Sequence, residues 1–315
     1  MTYAVFTGVY RNCEGQSLDE KLNMLNKHGL ETHFFSWVDD LSPTDAQMLR
    51  GKGVHVHQYD PPFPHVRGIP GRRRQGFLAR KAVDHFSGNP RLLKLRWDVK
   101  FNEELLENVN KDDFLEPVKD GFLKNKVWCC FYSMQEFFST PDQSYCGYRE
   151  DLSKLVQWDY KIRDRSAYDY VAHDGMHLSI PLVSLEPRVC DLLETKPDPV
   201  WKLVWEPSHL NCEEHLHAWG YYYYLLDKYF KTGPLGTLYF PRGDSVRWPN
   251  NRAIVDYDRF LSNYQTIKTP SPPGYLPKYR VYDDVFVRRV VTGEYQDEFA
   301  KKIKAVIDLN RNDWI

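Results

Sequence analysis

Apolar stretches of strand length alternate with amphipathic stretches of helical period over residues 3–58. Each amphipathic stretch begins at a capping signal, because Ser17 is followed three residues later by Glu20 and Ser42 is followed directly by Pro43. The pattern predicts two helices that separate three strands over residues 3–9, 32–38 and 54–58. This alternation is typical of a largely parallel sheet with helices packed on it.

The rest of the chain continues the alternation less regularly. A loop is predicted over residues 60–74, and the polar and aromatic stretch 144–172 receives no assignment. Further strands are predicted from residue 91, over 127–132 and, as an extended segment, over 176–183. Further helices are predicted over 75–86, 102–109, 186–194, 210–230 and 294–309. We interpret the chain as an α/β catalytic domain over 1–230 with a C-terminal, aromatic-rich extension over 231–315 that packs on the same domain.

Charge and cysteine content narrow the classes of function. The 315 residues carry 42 Lys and Arg against 43 Asp and Glu, so the whole chain has no field that would draw it to nucleic acid or to a membrane. Six cysteines without a Cys-x-x-Cys pair indicate reduced thiols and a cytoplasmic protein. No segment reaches the roughly 20 apolar residues of a membrane span, and the first residues predict a strand rather than a signal peptide.

The stretch over residues 91–102 is the most informative for function, because an apolar run ends in a cluster of charges. The apolar part predicts a buried strand, and Arg96 and Asp98 then fall at its carboxyl end. Ligands bind at this edge of open α/β sheets. An Asp there can hold a divalent cation or a ribose hydroxyl, and an Arg can neutralise a phosphate. The alternative is an ion pair on the surface that caps the strand.

Four features occur in an order that is found in one family of enzymes. Arg11 follows the first predicted strand, an aromatic stretch that ends in Asp39 closes the second, Gln75 opens a helix, and the sequence Lys-Leu-Arg-Trp-Asp ends at Asp98. With these features, residues 3–225 resemble the nucleotide-sugar-dependent glycosyltransferases of bacterial and viral surface-glycan clusters, in which the last strand reads Lys-Ile-Arg-x-Asp. Those enzymes are similar to the GT-A class.

This resemblance implies a GT-A-like, Rossmann-like α/β fold and an enzyme that transfers a hexosyl or pentosyl group from a nucleotide-sugar such as a UDP-sugar. Arg74, in a run of three arginines beside Gly68 and Gly71, is a candidate for binding phosphates of the donor or of a polyanionic acceptor, and a solvated run of charges in a loop is the alternative. The resemblance implies a donor site made by Arg11, Arg96, Asp98 and Gln75. It also implies a divalent cation, Mn²⁺ or Mg²⁺, at Asp98. The chain departs from the class at one point, since Arg96 stands where such enzymes often carry the first Asp of an Asp-x-Asp motif.

An inverting transfer also needs a base that takes the proton of the acceptor hydroxyl. The candidate catalytic residues are Asp174, which lies in a His-Asp-Gly sequence, and Glu213 and Glu214, which begin a predicted helix. A plain turn at Asp174 and favourable charges at a helix N-terminus are the alternatives. The acceptor is a glycan by default. The arginines 72–74 and the aromatic content of 15% make a hydroxymethylated nucleic-acid base, as in phage DNA modification, the second candidate.

Two other classes of function stay open at this point. A metal-dependent hydrolase is one, because imidazoles with nearby acids can bind zinc, although no His-Glu-x-x-His signature is present. The histidines considered for it are His173, His177, His209, His215 and His217. A non-catalytic carbohydrate- or nucleotide-binding module is the other. The donor sugar, the stereochemical outcome and the oligomeric state do not follow from the sequence.

Overall fold

The protein forms a seven-stranded mixed sheet with helices on both faces, as seen in a computed structural model. The structure describes residues 1–11, 13, 15–61, 69–130, 132–133, 144–156, 178–195, 212–232, 238–239, 281–282, 284–294 and 298–314. The strands in this part of the chain are β1 (Thr2–Thr7), β2 (Glu31–Trp37), β3 (His55–Tyr59), β4 (Arg91–Leu95), β5 (Lys100–Phe101), β6 (Val127–Cys129), β7 (Tyr132–Ser133), β8 (Tyr145–Tyr148), β9 (Phe230–Lys231), β10 (Leu238–Tyr239) and β11 (Val281–Tyr282).

Helices also form in the described part of the chain, and they cover both faces of the main sheet. They are α1 (Leu18–Lys27), α2 (Pro43–Gly51), α3 (Ile69–His85), α4 (Glu103–Val109), α5 (Arg149–Leu155), α6 (Ile180–Val183), α7 (Pro187–Thr195), α8 (Glu213–Tyr229), α9 (Asp284–Thr292) and α10 (Glu298–Asn310).

The order of strands in the main sheet is β3-β2-β1-β4-β8-β6-β9. The strands run parallel except β8, which pairs antiparallel with β4 on one side and with β6 on the other. The chain winds outward from β1 to β3 and then returns to lay β4 on the opposite side of β1. The carboxyl ends of β1 and β4 therefore flank a topological switch point, where ligands bind in sheets of this kind.

Two hydrophobic cores lie on the two faces of this sheet, as the two-residue period of the strands requires. Ala4 of β1 and Phe34 of β2 pack with α1, α2 and α4 in one core. Val5 and Phe35, the next residue of each strand, pack with α3, α5 and α8 in the other. The predicted α/β class with a mostly parallel sheet flanked by helices is confirmed at this level.

The capping signals of the first half act as the sequence predicts. The Ser17 hydroxyl accepts from the backbone N of Glu20 at 3.2 Å, and the Glu20 carboxylate accepts from the backbone N of Ser17 at 2.6 Å. Ser42 caps α2 in the same way, with Pro43 in the first turn. These contacts satisfy backbone donors that have no partner within a helix, so both helices begin where the signals lie.

Two predictions of local structure are wrong, and three elements lie where none is predicted. The loop predicted over 60–74 is helical from Ile69, because Pro70 and Gly71 fall in the first turn, whose backbone N–H groups need no helical acceptor. The segment predicted as extended over 176–183 is helical from Ile180 to Val183. The unassigned stretch contains β8 and α5, and the helix α9 lies where no element is predicted.

The strand β8 escapes prediction because it carries a glycine in its middle. A side chain at Gly147 would place its Cβ 2.9 Å from the Leu152 side chain and 3.2 Å from that of Val127. A glycine in a strand often marks such a close approach, and it removes the alternating apolar signal. Packing against α5 therefore selects a residue that the strand pattern disfavours.

Four consecutive tyrosines on a helix point in all directions, so the sequence predicts that they divide between core and surface. In the structure, all four tyrosines of α8 lie in the core. Tyr221, Tyr222 and Tyr223 are each 1% exposed, and Tyr224 is nearly as buried. Helices α9 and α10 cover α8 through residues such as Val290 and Ile303. A helix enclosed on all sides has no polar face, so these rings fill the core and are not available to stack on a sugar.

The contact between α8 and α10 leaves no room for a side chain at Gly220. A Cβ there would lie 2.6 Å from Cγ1 of Val306. We expect Gly220→Ala to lower the free energy of unfolding by about 1–3 kcal/mol, since overpacking exceeds the roughly 1 kcal/mol gain in helix propensity. Urea unfolding measures the change.

Gly51 supplies the control for this substitution, because it is also helical and a Cβ there would meet nothing within 4 Å. Gly51→Ala is expected to leave stability unchanged or slightly higher. Combining Gly220→Ala with Val306→Ala should recover part of the loss by removing the clashing methyl group. A Gly220→Ala protein as stable as the parent would contradict this account of the helix contact.

The boundary predicted at residue 230 stays a prediction. Val287, Ile303 and Trp314 lie beyond it and share one hydrophobic core with α8. Among the described residues, every helix is too short or too polar to cross a lipid bilayer.

Candidate functional site

The site at the switch point starts with a tight turn at the end of β1. Gly8 has a φ of 98°, in the left-handed region that favours glycine. Its backbone N donates to the carbonyl of Phe35 at 3.0 Å, and its carbonyl accepts from the Ser36 hydroxyl at 3.0 Å. The turn is thus anchored on β2, and it directs the following residues over the carboxyl edge of the sheet.

Two buried polar side chains tie the segment after β1 to the segment after β4. The Gln16 amide donates to the carbonyl of Phe101 at 2.8 Å and accepts from the Phe101 N–H at 3.1 Å. The Lys21 ammonium donates to the carbonyl of Trp97. Because Gln16 and Lys21 are both buried, these bonds hold the two segments in one fixed arrangement.

Arg96 and Asp98 form a bidentate ion pair at this edge, which is the contact that the alternative to a ligand site predicts. The guanidinium Nε donates to Oδ1 of Asp98 at 2.8 Å, and its Nη2 donates to Oδ2 at 2.7 Å. The Asp98 side chain is 9% exposed and that of Arg96 is 28% exposed. The carboxylate is therefore buried behind the guanidinium, whose outer part faces solvent in a defined orientation.

Positive charge surrounds this pair. Lys21 lies close to Asp98. The Nζ of Lys100 lies close to Gly15 on the segment after β1, since a Cβ added to that glycine would be 3.9 Å from it. Burial lowers the pKa of Lys21, whereas the thiol of Cys13 and the carboxylate of Asp98 beside it raise that pKa. Burial likewise raises the pKa of the Cys13 thiol, which keeps it protonated at neutral pH.

Arg11 lies exposed on the segment after β1. Of the residues predicted to bind a nucleotide-sugar, the structure brings together Arg96 and Asp98. Trp97, between these two, is 3% exposed and stacks on Phe6 with ring centroids 3.8 Å apart. It belongs to the core and does not cover a ligand.

The other predicted residues lie elsewhere or outside the described residues. Gln75 is exposed on α3, and Arg74 precedes it on the same helix. The Arg188 guanidinium donates to Glu213 at 3.2 Å, and the Cys212 thiol donates to Glu214 at 2.8 Å. The role of these two glutamates as bases stays a prediction.

Several predicted site residues lie outside the part of the chain that the structure describes. Asp174, His173, His177 and His209 are among them. Of the histidines considered for a hydrolase, His215 and His217 are buried on α8. His217 lies 3.2 Å from Oε1 of Glu186, and burial lowers its pKa although Glu186 raises it.

The residues around Asp98 do not fit a divalent cation. Both of its carboxylate oxygens accept from Arg96, and Lys21 and Lys100 add positive charge nearby. Mg²⁺ and similar hard cations take about six oxygen ligands, often from more than one carboxylate. The prediction of Mn²⁺ or Mg²⁺ at Asp98 therefore gains no support from this geometry, and a direct role of the arginines in binding phosphate fits better.

A group of histidines that the sequence-based predictions missed lies on the face of β2 and β3 that α3 covers. Ring nitrogens of His33, His57 and His85 lie within 4.8 Å of one another. The sequence His55-Val56-His57 is a signal for it, since residues two apart in a strand share a face.

Comparison with known proteins adds no family. A scan against protein-family models finds no match, and a search of curated proteins finds no similar sequence.

Proposed function

We propose that the protein is a glycosyltransferase that moves a sugar from a nucleotide-sugar donor to a hydroxyl group of an acceptor. The observation that carries this proposal is the bidentate Arg96–Asp98 pair at the carboxyl ends of β1 and β4. A mostly parallel sheet with its switch point at that edge supports binding of a nucleotide there. The resemblance to nucleotide-sugar-dependent transferases supports the choice of donor.

The positive charges of Arg11, Arg96 and Lys100 suit the leaving group of such a reaction. When the acceptor oxygen bonds to the anomeric carbon, the bond from that carbon to the diphosphate oxygen breaks, and the nucleoside diphosphate leaves with its electron pair. Donors fixed beforehand at the position of this developing charge lower the barrier. Arg96, oriented by Asp98, the exposed Arg11 and Lys100 near Gly15 are the groups proposed to neutralise the charge of the diphosphate.

The proton of the acceptor hydroxyl must pass to a base as the new bond forms. Asp174, Glu213 and Glu214 are the proposed candidates for this step. The acceptor is proposed to be a glycan, with a hydroxymethylated nucleic-acid base as the second candidate. Binding to a polynucleotide would weaken steeply as salt rises, which distinguishes the two acceptors.

A thermal-shift screen of nucleotides and nucleotide-sugars tests the donor site. A ligand at 100 times its Kd adds about 2.7 kcal/mol to stability, which should raise the Tm by about 3–8 °C. Because the cations on the chain take the role of a metal in this proposal, the shift should be the same with EDTA as with Mn²⁺. Sodium phosphate of equal ionic strength is the control.

The outcomes of this screen separate the alternatives. A shift that appears only with Mn²⁺ would contradict phosphate binding by the arginines alone and favour a cation at Asp98. The absence of a shift with every nucleotide would count against the transferase. Release of nucleoside diphosphate from a bound nucleotide-sugar would exclude a binding module without catalysis.

A further inference from the structure

A cluster of histidines occupies one face of the sheet at its β3 edge. His33 of β2 lies directly opposite His55 of β3, and His57 follows two residues later on the same face. His85 is the last residue of α3, which packs over this face. The rings of His57 and His85 have centroids 4.2 Å apart, and those of His33 and His57 lie 5.3 Å apart.

The nitrogens of three of these rings converge on one point. Nδ1 of His33 lies 3.1 Å from Nε2 of His57. One ring nitrogen from each of His33, His57 and His85 lies within 4.8 Å of the other two. Ligands of a tetrahedral Zn²⁺ with Zn–N bonds of about 2.05 Å are separated by about 3.3 Å, so the first pair already has the spacing of a metal site. We propose that His33, His57 and His85 bind a zinc ion, whose fourth position is open to water.

A carboxylate orients the most buried of these ligands. Oε1 of Glu31 lies 2.9 Å from Nε2 of His33 and 3.2 Å from Nε2 of His55. A proton on Nε2 of His33 that donates to Glu31 leaves the lone pair on Nδ1, which is the atom that faces His57. Histidine ligands of zinc commonly donate their second nitrogen to a carboxylate in this way, which sets the tautomer and raises the basicity of the ligand.

The electrostatics of the cluster favour neutral imidazoles, the form that binds a metal. Burial lowers the pKa of His57 to about 4, and the neighbouring His85, His33, His55 and Arg50 act in the same direction. Burial also lowers the pKa of His33 against the opposing effect of Glu31. Without a metal, Nε2 of His57 donates to Nδ1 of His33 at 3.1 Å, and Zn²⁺ would bind in place of the proton that they share.

The ligands span a gradient from core to solvent. His33 is buried, His57 is half-buried and His85 is exposed at the end of its helix. An ion would therefore enter from the solvent side and join the carboxyl end of α3 to β2 and β3. His33 and His57 precede the carboxyl ends of these strands, so this site is separate from the one at Arg96 and Asp98 and does not depend on the proposed transferase.

Zinc titration of tag-free protein, stripped with EDTA and exchanged into chelator-free buffer, tests this proposal in competition with a chromophoric chelator. The parent chain should bind one equivalent of Zn²⁺ with a Kd of about 1 μM or lower. His85→Asn should weaken binding at least about 100-fold, and because His85 is exposed this variant is expected to fold. His57→Asn should act in the same direction.

His28→Asn is the matched control. His28, Glu103 and Glu107 form the other group of described side chains close enough to hold a metal, so this variant tests whether zinc binds there instead. It should bind zinc as the parent does. Zinc should also raise the Tm of the parent and of His28→Asn, but not that of His85→Asn. Less than about a tenth of an equivalent bound by the parent, or equal affinity in His85→Asn and the parent, would overturn the proposal.

Discussion

Asp98→Asn is expected to reduce donor turnover at least about 100-fold, the loss typical when a group that stabilises developing charge is removed. The carboxylate accepts two bonds from Arg96, at 2.8 and 2.7 Å, and an amide can accept through one atom only. Its NH₂ group would face the guanidinium, so Arg96 would lose the orientation in which it meets the diphosphate. Steady-state kinetics with the donor found in the thermal-shift screen measures the effect.

The same substitution should lower the free energy of unfolding by about 1–3 kcal/mol, because it weakens a largely buried charge pair. Glu103→Gln is the control, since it breaks the exposed Lys27–Glu103 pair, whose side chains are 62% and 45% exposed. That change should alter stability by less than about 0.5 kcal/mol and leave turnover intact.

Arg96→Lys separates orientation from folding. The charge stays, but the planar fork that matches both a carboxylate and a phosphate is lost. Turnover should fall at least about tenfold, with a smaller change in stability than in Asp98→Asn. An Asp98→Asn protein that turns over donor at the rate of the parent would refute the proposed role of this pair.

Asp151→Ala should destabilise the protein by about 2–4 kcal/mol, which is the largest loss of stability that we expect from a single substitution here. Asp151 is 1% exposed. Its carboxylate accepts from the backbone N of Lys124 at 2.7 Å and from the backbone N and the Nδ2 of Asn125 at 3.2 and 3.0 Å. Alanine would leave these part-buried donors without their acceptor. Urea unfolding, followed by circular dichroism, gives the difference.

The neighbouring residue provides the comparison for Asp151. Glu150 pairs with the Lys124 ammonium at 2.7 Å, but both side chains are well exposed. Glu150→Gln should therefore change stability by less than about 0.5 kcal/mol. Asp151→Asn keeps one acceptor oxygen and should fall between the two. Equal effects of Glu150→Gln and Asp151→Ala would show that burial of the carboxylate does not determine its contribution.

The first half of the fold could be predicted because its signals are local. Ser17 and Glu20 are three residues apart, and they form the capping box that the sequence indicates. Arg96 and Asp98 directly follow a predicted strand, so their place at the edge of the sheet follows from the end of β4 at Leu95. The strand β8 could not be predicted, because Gly147 is selected by packing against Leu152.

The histidine cluster shows a different limit. His33 meets His55 and His57 only through the register of β2 on β3, and His85 arrives from the end of a helix many residues later. Spacing along the chain contains no trace of that register. The same holds for Gln16, whose two bonds to Phe101 join segments that lie 85 positions apart in the sequence.

The reversed strand β8 has a consequence for the order in which the molecule can assemble. Its residues follow β6 in the chain but lie between β6 and β4 in the sheet. The ladder from β3 to β4 can form from residues 2–95 alone, whereas β6, with β9 beside it, can join this ladder only after β8 has been added. On a ribosome, the amino-terminal half can therefore become native while the segment beyond β4 waits for residues that have yet to emerge.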